Sequence, residues 1–311
     1  TLHLEKLFQI LLLPTVLYGC EMWTSLKSND IAALNRFQHF IVKRILDLKT
    51  STRSDMCQSI LGLHTITSSI ETKKLYFLQK LCSLDDNFLT KKIFLVRLFT
   101  YFIDNERNHH GFIPDIMNIL YKYSLHSYML DFFREGVFPT KQSWKAIVKN
   151  TVDKVQTDEW TRRLHNDNNF SRFRSIHRSV RVPDFWKSSK SSREIVNSYY
   201  ITKLLIDIPN TTGGTCELCN TQFLDVYVHA CCSCSGTHLI RDMWWEFIIE
   251  KFPLHLFVEL YSYDDEELYC ILLGKHITTN NIDTDSFYNL CHVHVAHCVA
   301  AYSRLRRTTI R

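Results

Sequence analysis

The sequence predicts a mainly α-helical protein, and three observations predict it. Glycine and proline are scarce, 8 and 6 among 311 residues, where average usage would place roughly 22 glycines alone in a chain this long. Apolar residues recur at spacings of three and four over long stretches, the period of a helix face. The chain is also 45% hydrophobic and 13% aromatic, which supplies cores and sets it apart from disordered or low-complexity chains. Glycine scarcity argues against turn-dense sandwiches and propellers, and against glycine-rich phosphate-binding folds.

Thr1 stands where an initiator methionine would, so the sequence is expected to be part of a longer chain. The apolar stretch Leu7 to Leu17 is broken by Gln9 and Pro14 and is too short to span a bilayer. It predicts a buried helix rather than the lipoprotein signal whose outline Lys6 and Leu17-Tyr18-Gly19-Cys20 share. Ile31, Leu34, Phe37, Ile41, Ile45 and Leu48 form one apolar stripe, with Arg36, Lys43 and Arg44 off it and capping residues at Ser28-Asn29-Asp30. Gly62 and Thr65-Ile66-Thr67 interrupt the pattern; Ile70 to Leu81 resumes it, with Lys73, Lys74 and Lys80 expected outside. Further helical stretches follow to about residue 160, broken at Gly111, Pro114, Gly136 and Pro139. After the loop Thr211-Thr212-Gly213-Gly214, Met243 to Phe252 and Phe287 to Arg307 read as helices, the second with a basic end at Arg304, Arg306 and Arg307. Three consecutive domains are expected: a helical bundle over 1–100, a helical connector over 101–210, and a C-terminal unit over 211–311.

Eleven cysteines are distributed unevenly. Cys20, Cys57 and Cys82 stand singly, whereas Cys216, Cys219, Cys231, Cys232 and Cys234 crowd together around a histidine. Such a cluster points to a metal in a reducing compartment rather than to a disulfide framework. In Cys216-x2-Cys219-x9-His229-x4-Cys234 a tight turn offers two thiols and a later His/Cys pair closes a tetrahedron. Four protein ligands leave no open position, so the expected cofactor is a structural zinc. Cys231 and Cys232 compete with Cys234 for the fourth place. A second set, Cys291-x2-His294-x2-His297-Cys298, shares a helix face, but its interleaved small apolar residues favour a packed core helix.

Between Arg162 and Arg193 nine cations meet two acids, Asp167 and Asp184, and four rings, Phe170, Phe173, Phe185 and Trp186, are interleaved. Arginines neutralise phosphates, and exposed rings stack on bases. Arg172, Arg174, Arg178, Arg181, Trp186 and Lys187 are therefore the expected nucleic-acid-binding residues. Tyr261-Ser262-Tyr263-Asp264-Asp265 has the outline of a polymerase metal motif, but Glu266 and Glu267 follow at once and read instead as a solvated acidic turn. The chain carries no GxSxG, P-loop or HExxH. No catalytic residues are assigned.

Leu11-Leu12-Leu13-Pro14-Thr15-Val16-Leu17-Tyr18-Gly19-Cys20-Glu21-Met22-Trp23 resembles the segment just after the polymerase palm in non-LTR (LINE-type) retrotransposon reverse transcriptases, where an apolar helix leads into LYG-x-E-x-W. Leu34-Asn35-Arg36-Phe37-Gln38, Arg44-Ile45-Leu46-Asp47-Leu48, Thr52-Arg53 and Leu61-Gly62 are similar to the thumb of that family. His229-x4-Cys234, followed by Arg241 and Trp244-Trp245, is similar to its C-terminal zinc knuckle. The resemblance implies a thumb-like helical bundle and a zinc-stabilised tail. The family's catalytic aspartates lie in a palm, and its endonuclease lies further upstream, so both would precede Thr1. A nucleic-acid-binding fragment of an RNA-directed DNA polymerase, no enzyme on its own, is the function implied.

Its expected partners are RNA, DNA or an RNA–DNA hybrid, and the palm domain of the parent polymerase; no membrane partner is expected, and the location is nuclear or cytoplasmic. The rival expectation is a zinc-stabilised helical module that binds protein. A metalloenzyme would need an open metal position, which four good ligands deny it.

Overall fold

The structure, a computed structural model, describes residues 2–24, 26–103, 110–165, 170–189, 191–206, 213–277 and 282–309. The chain is mainly helical. Among the described residues the one sheet is a two-stranded ribbon, Gly214–Thr215 antiparallel to Gln222–Phe223. No helix among them is long and apolar enough to cross a membrane. The chain divides into two compact units, one of His3–Val42 and Gly62–Arg162, the other of Thr1–Leu2, Lys43–Leu61 and Arg163–Arg311. The three consecutive domains expected from composition do not coincide with these units. Neither 100 nor 210 is a boundary, and Lys43–Leu61 belongs with residues more than a hundred positions away.

The first unit is organised by the helix Ile66–Cys82, which packs against the turn Cys20–Met22 and the helices Leu89–Ile103 and Phe112–Lys122. It begins at Ile66, earlier than expected, because the Thr65 hydroxyl accepts a hydrogen bond from the Ser68 amide and caps it. Its apolar positions Leu75 and Leu78 are buried with Phe94, Ile116, Leu120, Met129 and Trp144. The Trp144 indole donates to the Leu75 carbonyl at 2.8 Å, satisfying the polar edge of a buried ring.

Gly19 at φ +68° turns the chain after Tyr18, so that Leu17 and Cys20 reach a cluster with Ile66 and Ile70. Lys73 and Lys74 donate to the carbonyls of Leu17 and Trp23. Lys74, expected outside, is buried and ion-paired with Asp115. The Leu17 carbonyl also accepts from the Cys20 amide at 3.3 Å, and the lysines add charged donors to carbonyls at both ends of the turn.

The second unit is built around the helix Thr284–Thr309. Phe287, Cys291, Val295, Cys298 and Tyr302 form its buried stripe, at the spacings of four, four, three and four that mark one helix face. Packed on it are Asp184–Ser188, Ser192–Ile206, His238–Lys251, Asp265–Leu272 and the turn His229–Ser233. Lys43–Leu61 joins this unit through polar contacts. The Tyr199 hydroxyl donates to the Ile45 carbonyl at 3.0 Å, and Lys203 pairs with Asp47 at 2.8 Å.

Candidate metal centre and basic segment

Two local devices bring the Cys/His residues together. In the first, the strand ribbon returns the chain so that the Cys216 amide donates to the Thr221 carbonyl, and the Asn220 amide to the Cys216 carbonyl at 2.8 Å. Asn220 adopts φ +55° to close this turn. The Leu218 amide points at the Cys216 sulfur, 3.4 Å away.

The second device carries His229 and Cys234. Asp225 caps a helical turn by accepting from the Tyr227 and Val228 amides at 2.7 and 3.3 Å. The chain then widens, and the Cys234 amide donates to the His229 carbonyl at 2.7 Å across five residues. Such a wide turn sets His-x4-Cys side by side, where an ordinary helical turn would pair positions three and four apart.

Cys216, Cys219, His229 and Cys234 thereby place one ligand atom each within 4.8 Å of all the others, a set that could hold a metal ion. The Cys216 and Cys234 sulfurs are 3.7 Å apart, and the Cys219 sulfur is 3.3 Å from His229 Nε2. His229 Nδ1 lies 3.3 Å from the Ser233 hydroxyl, and the Phe223 ring stacks on the imidazole at 5.5 Å. The Ser233 contact at Nδ1 orients the ring with Nε2 inward. The Tyr302 hydroxyl donates to the Cys216 sulfur at 3.6 Å, tying the site to the long helix. Burial opposes ionisation of Cys219, yet hydrogen bonds from Thr221, Cys216 and His229 hold its thiol down at about 6; burial pushes Cys234 up to about 11.

Of the three competitors for the fourth position, Cys234 joins the set. Cys231 is buried on the other side of the turn, where its carbonyl lies 3.2 Å from His294 Nε2. The second candidate set does not assemble: Cys298 approaches both His294 ring nitrogens at 3.7 Å, but among the described residues no further group of three or more ligands converges. Arg241 donates to the Cys234 carbonyl at 2.6 Å, and Trp244 is buried and stacked on His294 at 5.0 Å. None of the eleven cysteines, all of them among the described residues, is in a disulfide.

The basic segment is corrected in part. Phe170, Phe173, Phe185 and Trp186 are all buried, so the stacking role expected of Trp186 does not hold. Its indole donates to the Thr202 hydroxyl at 3.0 Å inside the core. Arg172 is also drawn inward. It pairs with Asp225 and Glu266, both at 2.9 Å, and its guanidinium lies 5.0 Å from the centre of the Tyr269 ring. It braces the capping residue of the ligand-bearing turn instead of facing solvent. Arg174 donates to the carbonyls of Leu164 and His165 at 3.1 and 3.0 Å, the free end of the helix Lys141–His165. Arg178, Arg181 and Lys187 are exposed, as are Arg162, Arg163 and Arg193. Thr211, Thr212, Asp167 and Lys190, and the side chains of Arg306 and Arg307, lie outside the described residues.

The acidic turn is a helix start. The Asp264 carboxylate accepts from the Glu267 amide at 2.7 Å, while Glu266 and Glu267 pair with Arg172 and Lys275. Known protein families, curated proteins and solved structures contain no match to this chain.

Proposed function

We propose that the chain is a zinc-stabilised nucleic-acid-binding protein, the thumb and C-terminal tail of a LINE-type reverse transcriptase, without polymerase or nuclease activity of its own. The closed four-ligand set carries the proposal. With Zn–S at about 2.3 Å, two sulfurs of a regular tetrahedron stand about 3.8 Å apart, and those of Cys216 and Cys234 stand 3.7 Å apart. Three thiols and one imidazole are soft and borderline donors suited to zinc, and the free thiols suit a reducing, intracellular compartment.

Such a site is structural, because nothing is left for water or substrate to occupy. Its work is to stiffen the turn that Arg241 and Trp244 brace from behind. The exposed arginines at 162, 163, 178, 181 and 193 supply the cations that track a phosphate backbone without reading its sequence. Asp264 and Asp265 take no part in nucleotide addition in this reading, since they begin a helix.

The protein as purified should hold about one equivalent of zinc, and Cys216→Ser should lose it together with the fold of the second unit. Binding to single-stranded or hybrid nucleic acid, followed by fluorescence anisotropy across a salt series, should weaken steeply with salt. A protein-binding module is the second reading. Ile93, Val96, Phe99 and Ile103 leave the helix Leu89–Ile103 with an exposed apolar face, and an interface there would respond weakly to salt.

A further inference from the structure

The second unit holds a cavity of about 290 Å³ between the loop that follows the helix Ser171–Ile176 and the turn at Gly274–His276. Its volume is near the lower end for small-molecule sites and exceeds what a bare anion needs. Arg178 and Arg181 lie three residues apart in that loop and both line the cavity. Both side chains are exposed, and neither guanidinium makes a hydrogen bond or ion pair with another described residue. This separates them from Arg172 and Arg174, which are spent on carboxylates and carbonyls.

Asp184 is the acid of the lining; its charge is met first by Lys187 at 2.8 Å, with smaller contributions from Arg181 and His276. His177 also lines the cavity; burial above all holds its imidazole down at about 4, so it is neutral at physiological pH. The cavity is therefore net cationic. Phe185 and Tyr288 supply an aromatic wall to the same cavity, and Gly274, at φ +108°, brings bare backbone against the Phe185 ring.

Two guanidinium forks lining one cavity match the oxygens of a phosphate better than a lone carboxylate, which one fork can satisfy. The aromatic wall leaves room for a flat or sugar-like group beyond the anion. We propose that this cavity binds a single nucleotide through its phosphate, with Arg178 and Arg181 as the phosphate ligands and Phe185 and Tyr288 flanking the nucleoside. The choice of a nucleotide over other phosphate compounds rests on the nucleic-acid reading above; the cavity's hold on phosphate does not.

The test uses the full zinc-loaded chain. Uridine monophosphate, uridine and inorganic phosphate are titrated calorimetrically, and a single-stranded oligonucleotide by anisotropy. The monophosphate should bind one per chain, uridine should not bind measurably, and R178A/R181A should bind the monophosphate about tenfold or more weakly. R178K/R181K keeps the charge and loses the forks, so it too should bind several-fold more weakly. Circular dichroism and zinc content should match the parent in both variants, since the replaced side chains are exposed. Equal binding by the parent and the alanine variant overturns the site. Equal binding by the lysine variant reduces it to a general positive field and overturns the built pocket. Inorganic phosphate binding as tightly as the monophosphate overturns the nucleotide assignment. If the oligonucleotide binds and the monophosphate does not, the pocket falls and the nucleic-acid reading stands. The reverse result keeps the pocket and removes that reading.

Discussion

At the residue scale, Arg172 and Trp186 show how one composition serves two ends. Both belong to a stretch whose charge and rings suggest a phosphate-tracking surface, yet both face inward. Arg172 joins the Asp225 cap to Glu266, and much of the pairing is shielded from solvent, although Glu266 itself is more than half exposed. Arg172→Ala should therefore cost about 2 kcal/mol of stability, discounted for the exposed partner. Its salt slope for nucleic acid should match the parent's. Urea unfolding alongside anisotropy reads both, and a flattened slope with unchanged stability would return Arg172 to the surface. Trp186 is 2% exposed; Trp186→Ala should destabilise by about 3–5 kcal/mol through the cavity it leaves. An alanine variant as stable as the parent but poorer at binding single strands would restore the stacking role.

At the scale of elements, the helix Thr284–Thr309 buries titratable groups as well as apolar ones. His292 is 2% exposed and burial pushes its imidazole down to about 3. The folded protein keeps it neutral, while the unfolded chain takes up a proton near pH 6.5. Stability from this group is thus complete above pH 6.5 and is lost as pH falls from there toward 3. The loss should reach about 2 kcal/mol by pH 5. His292→Phe keeps a ring against Phe185 and removes the proton site. Denaturant unfolding at pH 7.5 and pH 5 should show a smaller acid loss in the variant. His177, likewise held down by burial, is common to both proteins and cancels in the comparison, so an identical loss would place the pH dependence elsewhere.

For the whole molecule, the division into two units predicts two responses to metal removal. Chelation should unfold the unit that contains Cys216, Cys219, His229 and Cys234 and leave the unit built on Ile66–Cys82 folded. Two thermal transitions, of which a chelator shifts one, would express this in a calorimeter. A single transition that moves as a whole would show instead that the units unfold cooperatively. All-or-none behaviour also decides whether Lys43–Leu61 contributes through its own contacts or through its connections.

Helical period and ligand spacing are local properties, which is why they were legible in the chain. The stripes at Ile31–Ile45 and Phe287–Tyr302 repeat within single elements, and Cys216-x2-Cys219 with His229-x4-Cys234 is completed within nineteen residues. Even so, the choice of Cys234 over Cys231 and Cys232 needed the wide turn at His229–Ser233, whose geometry no spacing specifies. Which arginines and rings face water was not legible at all. Burial of Trp186 depends on Thr202, and the orientation of Arg172 on Asp225 and Glu266, partners distant in sequence whose approach is set by packing around the long helix. The same holds for Lys43–Leu61, held by Tyr199 and Lys203. A residue's type states what it can do; which solvent it meets follows from the side chains that the rest of the fold brings against it.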